Sequence, residues 1–132
     1  MKYLMFIVLV LSVLTAQFSW QESGVSLRQG AHIEWQRTGT VGENGEVILV
    51  WSDTRNGDRN VYAQKVDDSG QNLWGDGGVA VVSEAGRQED PLAISDGAGG
   101  AYIVWKDYRY ELDDGDVFVQ HILSDGSLDW AE

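Results

Sequence analysis

The chain has 132 residues, enough for one small domain, and carries 21 acidic against 9 basic side chains for a formal charge of −12. A surface this acidic argues against nucleic acid and anionic lipid as partners, since both are gripped through basic patches. There is no cysteine, which excludes disulfides, thiolate zinc sites and a lipid-carrying cysteine.

In chain order, Met1 and Lys2 make a short positive start, and residues 3–14 are apolar except for Ser12. Thr15, Ala16 and Gln17 then turn small and polar. This three-part pattern predicts a helical secretory signal peptide over 1–16, cleaved after Ala16. The apolar run is shorter than the roughly 20 residues that span a bilayer. The expected product is secreted, with no membrane contact after cleavage.

Residues 25–27 predict a short strand, with a counterpart at 79–82. Residues 32–38 (HIEWQRT) alternate apolar and polar, the period of a half-buried strand. The later equivalent, 90–95, contains the single proline, Pro91, which points to a strand start or an edge. Turns follow at 42–45 and 96–100, where glycines reach positive φ without steric cost. Residues 47–51 and 101–105 are unbroken apolar runs, too short for a typical helix and expected to be buried on both faces. Polar loops are expected at 52–60 and 106–116. Strands rich in β-branched and aromatic residues follow at 61–66 and 117–123, each ending in a tight turn and a tryptophan. No stretch after the signal peptide shows a helical apolar period.

These elements repeat. Residues 45–74 (GEVILVWSDTRNGDRNVYAQKVDDSGQNLW) return as 99–130 (GGAYIVWKDYRYELDDGDVFVQHILSDGSLDW). Matched positions are Trp51/Trp105, Asp53/Asp107, Arg55/Arg109, Val61/Val117, Gln64/Gln120, Gly70/Gly126 and Trp74/Trp130. The first of these pairs lies 54 positions apart and the last 56, so two extra residues enter the second copy after Asp107. Trp20 closes an earlier copy by the same spacing. The chain is thus a signal peptide at 1–16 and two repeats within 17–132, at about 20–74 and 75–132. Each repeat holds four short antiparallel strands. Such units stack on their neighbours to bury their faces, as in the blades of a β-propeller. The expected fold is all-β, with two blade repeats of an incomplete propeller.

The segments VWSDTRNGDRNVYAQKVDDSGQNLWGDGGVAV and SDGAGGAYIVWKDYR resemble the blade repeats of secreted bacterial proteins with sialidase-like β-propellers. DDSGQNLW and LSDGSLDW resemble degenerate Asp-box turns, in which Asp68, Gly70 and Trp74 keep the aspartate, glycine and aromatic order. In the second copy Gly126 directly follows Asp125, and Trp130 closes the turn. The resemblance implies a structural role for these residues on the propeller rim and no catalytic one.

Other constellations are weighed against packing. A sialidase-type site needs an arginine cluster and a Tyr/Glu pair converging from several blades; Arg28, Arg37, Arg55, Arg59, Arg87 and Arg109 are present, with Tyr62, Tyr102, Tyr108 and Tyr110. The recurrence of Arg55 and Arg109 instead suggests contacts with Asp53 and Asp107. Asp53, Asn56, Asp58 and Asn60, and Asp113, Asp114 and Asp116, offer oxygen ligands for calcium, but neither loop fits a calcium-hand pattern; solvated turns are preferred, and no metal or cofactor is expected. His32 and His121 read as ordinary strand residues. The six tryptophans could stack on sugars, yet Trp51, Trp74, Trp105 and Trp130 recur at fixed positions, as core or rim residues do. The expected function is a secreted, non-enzymatic propeller module for binding or display, with further blades or other copies of the chain as partners. The alternatives are a glycan-binding, lectin-like subunit that builds its propeller by oligomerisation, and the remnant of a secreted sialidase-like glycosidase.

Overall fold

The computed structural model describes residues 24–28, 34–110 and 113–130, so the expected signal peptide, Trp20 and His32 lie outside the described residues. Seven strands follow one another: β1 (Glu34–Val41), β2 (Val47–Asn56), β3 (Asp58–Val66), β4 (Val79–Val82), β5 (Gln88–Ser95), β6 (Ala101–Asp107) and β7 (Asp116–Ile122). They form a four-stranded sheet in the order β1-β2-β3-β4 and a three-stranded sheet in the order β5-β6-β7. Every pairing is antiparallel. Among the described residues there is no helix. The protein is all-β, and the sequence repeat becomes a structural one: β5, β6 and β7 repeat β1, β2 and β3.

Strand alternation decides what is buried. In the first sheet Ile48 and Val50 of β2 share a face with Val61 and Ala63 of β3, and this face packs on the second sheet. Ala101, Ile103 and Trp105 of β6, with Ile122 of β7, meet them from the other side. Val81 and Val82 of β4 and the ring of Trp74 complete this core. Each valine or isoleucine among them contributes roughly 1.5–3 kcal/mol on burial. A cross-sheet link joins β1 to β5: Gln36 Nε2 donates to Asp90 Oδ1, and Asp90 N donates to Gln36 Oε1 at 3.0 Å. Both residues have positive φ and sit where the strand register shifts, so two repeat-equivalent bulges bond to each other. Pro91 lies at the second bulge, on an edge strand, as a residue without a ladder donor should.

Three expectations are corrected. Residues 25–27 form no strand. Val25 and Leu27 line a cavity with Val47, Leu49 and Val66 on the face of the first sheet that points away from the second, and a strand needs a neighbouring edge with which to exchange hydrogen bonds. The expected loop at 52–60 is instead mostly strand, because β2 runs on to Asn56, β3 starts at Asp58, and Gly57 turns the chain at φ +99°. Ser52, Asp53 and Asn60 are polar but buried. In the second repeat β6 stops at Asp107 and β7 starts at Asp116, and residues 108–110 and 113–115 belong to neither strand. Burial on both faces, expected for both apolar runs, fails for β6: Tyr102 is exposed while Ala101, Ile103 and Trp105 are buried.

Trp51 and Trp105 are both buried and equivalent. Trp105→Ala is expected to destabilise the protein by about 3 to 5 kcal/mol through lost transfer energy and an unfilled cavity. Urea unfolding followed by far-UV circular dichroism measures this; a loss under about 1 kcal/mol would mean the ring is not a core element.

Candidate functional site

The repeated polar residues assemble into two copies of one cluster. Trp51, Asp53 and Arg55 alternate along β2 and therefore share a face. Trp51 Nε1 donates to Asp53 Oδ2 at 2.9 Å, Arg55 Nε to Asp53 Oδ1 at 3.0 Å, and Arg55 N to the same oxygen at 3.0 Å. Arg55 Nη1 reaches on to the Gly77 carbonyl at 2.8 Å. Its guanidinium carbon lies 3.6 Å from the centre of the Tyr62 ring, which stacks beside Trp51. The second copy repeats this: Trp105 Nε1 donates to Asp107 Oδ2 at 3.0 Å, Arg109 Nη2 to that oxygen at 2.7 Å, and Arg109 N to Asp107 Oδ1 at 3.0 Å. Phe118 replaces the tyrosine, 4.8 Å from the guanidinium carbon.

Both carboxylates are fully buried. Burial alone would raise the pKa of Asp107, but hydrogen bonds from the Arg109 and Trp105 side chains and the Arg109 amide outweigh it and hold the group below its ordinary 3.8. Asp53 is held low in the same way by Arg55 and Trp51. These are charges neutralised in place, and each arginine is spent on its own aspartate.

The glutamines at matched positions have a role that the pattern alone did not assign. Gln64 Oε1 accepts from the amides of Lys65 and Trp74 at 3.0 and 2.9 Å, and its Nε2 donates to the Gly75 carbonyl at 2.7 Å. Gln120 binds the amides of His121 and Trp130 at 2.9 and 3.2 Å and the Trp130 carbonyl at 2.9 Å. Each buried glutamine thus folds the turn back and sets its tryptophan. Within the turns, Asp67 Oδ1 accepts from Ser69 and Gln71, while Asp125 Oδ1 accepts from Ser127. The carboxylate closing the first turn is therefore Asp67, one residue before the Asp68 that the pattern singles out. Gly70 and Gly126 occupy the same place in both turns, with φ of +85° and +88°.

The two tryptophans then differ. Trp74 is buried and lies so close to Gly126 that a Cβ there would stand 2.8 Å from its ring; its Nε1 donates to the Ser124 carbonyl at 3.2 Å. Trp130 is exposed beside Tyr102 and His121, with ring centres 6.0 Å from each. His121 Nδ1 and Nε2 lie 3.0 and 2.9 Å from Asp129 and Asp96, and these carboxylates, Asp96 first, raise its pKa.

The residues considered for calcium do not converge. Asp53 is held by Trp51 and Arg55, Asn56 donates to the Tyr62 hydroxyl, Asp58 accepts from the Gly86 amide, and Asn60 donates to Gln88. Among the described residues no group of three or more His, Cys, Asp or Glu side chains is placed to hold a metal ion. The arginines are likewise dispersed: Arg59 pairs with Glu89, and Arg87 lies over Tyr108. A cavity of about 520 Å³ lined by Ser26, Arg28, Arg55, Asn72 and Asp76 places two of them together, both against Asp53. No family model, curated protein or solved structure matches the chain.

Asp107→Asn keeps the shape but removes the charge, and is expected to cost about 3 kcal/mol by leaving Arg109 facing a neutral amide in a buried site. Because the folded-state pKa of Asp107 is depressed, its contribution is present above pH about 4 and is lost as pH falls through the folded value. The acid limb of a stability–pH curve should therefore be shallower in the variant than in wild type. Parallel curves would show that Asp107 does not carry this linkage.

Proposed function

We propose that the chain is a secreted, non-enzymatic repeat module of the β-propeller type, used for binding or display outside the cell. In this reading the four-stranded sheet is one blade and the three-stranded sheet the next. The observation that carries it is the duplicated Trp-Asp-Arg cluster. Its arginines and carboxylates satisfy each other on separate sheets, as structural parts do, and do not point together at a substrate. The same feature weighs against a sialidase-like remnant, which would need arginines free to receive a carboxylate.

A glycan-binding subunit is the second reading. It is favoured by one group: the exposed Trp130 and Tyr102 with His121 and Asp129 between them, an aromatic platform beside a carboxylate of the kind that sugars stack on.

The test uses residues 17–132 with fluorogenic sialosides and neutral glycosides, alongside Arg109→Lys. No turnover is expected from either protein, and the variant should be less stable. Turnover by wild type that disappears in Arg109→Lys would overturn the non-enzymatic reading. Saturable quenching of tryptophan fluorescence by a monosaccharide, abolished in Trp130→Ala, would select the second reading over the first.

A further inference from the structure

The repeat allows each face of one sheet to be compared with the same face of the other. On the first sheet, the face carrying Ile48, Val50, Val61 and Ala63 is covered by the second sheet, and these four are at most 1% exposed. Their equivalents on the second sheet are Tyr102, Val104, Val117 and Val119. Tyr102 is 39% exposed, Val117 76% and Val119 47%. Beside them on β5, Leu92 and Ile94 are 62% and 64% exposed. This is a contiguous apolar sheet face, a feature that marks an interaction surface.

The polar contacts across the covered face also have counterparts in the second repeat. Lys65 Nζ crosses to the Gly99 and Ser124 carbonyls, both at 3.1 Å, and Trp74 crosses to the same turn. The residues at these positions in the second repeat are His121 and Trp130, both on the open face. What they would meet, by equivalence, is the turn around Gly45 and Asp68 on the opposite side of the first sheet.

That opposite side is prepared in a particular way. On the second sheet, the corresponding side receives Val81 and Val82 of β4. On the first sheet it receives residues 24–28, which stand 54 positions earlier in the repeat. Val25 and Leu27 line a cavity of about 290 Å³ with Val47 and Leu49, and Leu27 lines a second of about 230 Å³ with Leu49 and Trp51. Residues 24–28 thus sit in the place of a fourth strand, with no third strand paired to them among the described residues. On the second sheet β7 is a third strand at an open edge, with no fourth strand among the described residues.

We infer that the open face of the second sheet docks onto the residues 24–28 side of the first sheet in a second copy of this chain, head to tail. Residues 25–28 of one copy then add to β7 of the other as an antiparallel strand. The register follows from the pairs Val61↔Val82, Tyr62↔Ala80 and Ala63↔Val79: Val117 opposite Arg28, Phe118 opposite Ser26, and Val119 opposite Val25. The contact joins two different faces, so it closes into a ring or extends as a filament. The charge of −12 on each copy opposes it, and salt should favour it by screening. The inference rests on the repeat-module reading and names the partner for it.

The absence of cysteine from the sequence makes the register directly testable. Val119→Cys and Val25→Cys are prepared separately in residues 17–132, mixed in salt under mild oxidation, and run without reductant. Antiparallel neighbours stand within disulfide reach. The mixture is expected to give a cross-linked pair well in excess of that from either variant alone. Ile94→Glu, at an exposed site, should leave the circular dichroism spectrum unchanged and weaken association at least about tenfold, because the introduced charge would have to be desolvated. Preferential linking of Val119→Cys to itself would overturn the proposal in favour of a back-to-back contact. So would a monomer by light scattering at all salt concentrations, or a monomer that binds a monosaccharide through Trp130. These outcomes leave the non-enzymatic reading standing; only arginine-dependent turnover removes that.

Discussion

Everything in this fold leans on a carboxylate taken out of water. A buried ion costs several kcal/mol unless donors replace its hydration, and Asp53 and Asp107 each receive an indole N–H, a guanidinium and a backbone amide. Meeting that demand orients three side chains at once. The indole is fixed with its ring in the interior, the guanidinium is laid over Tyr62 or Phe118, and the backbone two residues on is held against the aspartate. Hydrogen bonds to ionised acceptors are shorter and about twice as strong as neutral ones. A short sequence element therefore aims a tryptophan and lays an arginine over an aromatic ring of the next strand, twice.

The second dependence runs between sheets. Lys65 is almost wholly buried, and its ammonium is held by Glu46 at 2.7 Å and by two carbonyls of the second sheet. Without that sheet the group would stand over apolar surface with fewer partners. Trp74 depends likewise on the turn at Ser124 and Gly126. The first repeat is thus finished by contacts that the second supplies. Unlike surfaces meet in this arrangement, and it carries a direction along the stack.

Strand positions were the most legible part of the sequence, because period-2 alternation and glycine turns report them directly. The stretch 79–82 is β4 as expected, and the turns at 42–45 and 96–100 stand where glycine placed them. The repeat made Trp51 and Trp105 identifiable as equivalent interior residues. In the stretch 52–60 polarity does not mean solvent. Asp53 and Asn60 are inside because they have partners there, and partners distant in sequence, as those of Asn60 are, leave no local signal. Asn60, for example, is satisfied by Gln88 and the Glu84 carbonyl. Residues 25–27 failed for the opposite reason, since their apolar alternation was real but pairing depends on a neighbour that composition cannot supply. The exposure of Tyr102 and Trp130 is likewise hidden, because a repeat pattern does not report which face of a unit is covered.

The ends of the Trp-Asp-Arg clusters have one more consequence. In the first repeat the chain turns immediately beyond Arg55, at Gly57; in the second β6 ends at Asp107 and β7 begins only at Asp116. Two residues of extra length were absorbed there, yet Arg109 grips Asp107 much as Arg55 grips Asp53. The clamp isolates the sheet from whatever follows it. Evolution, or a protein engineer, has at this point a port where sequence can be lengthened and diversified while the scaffold behind it stays fixed.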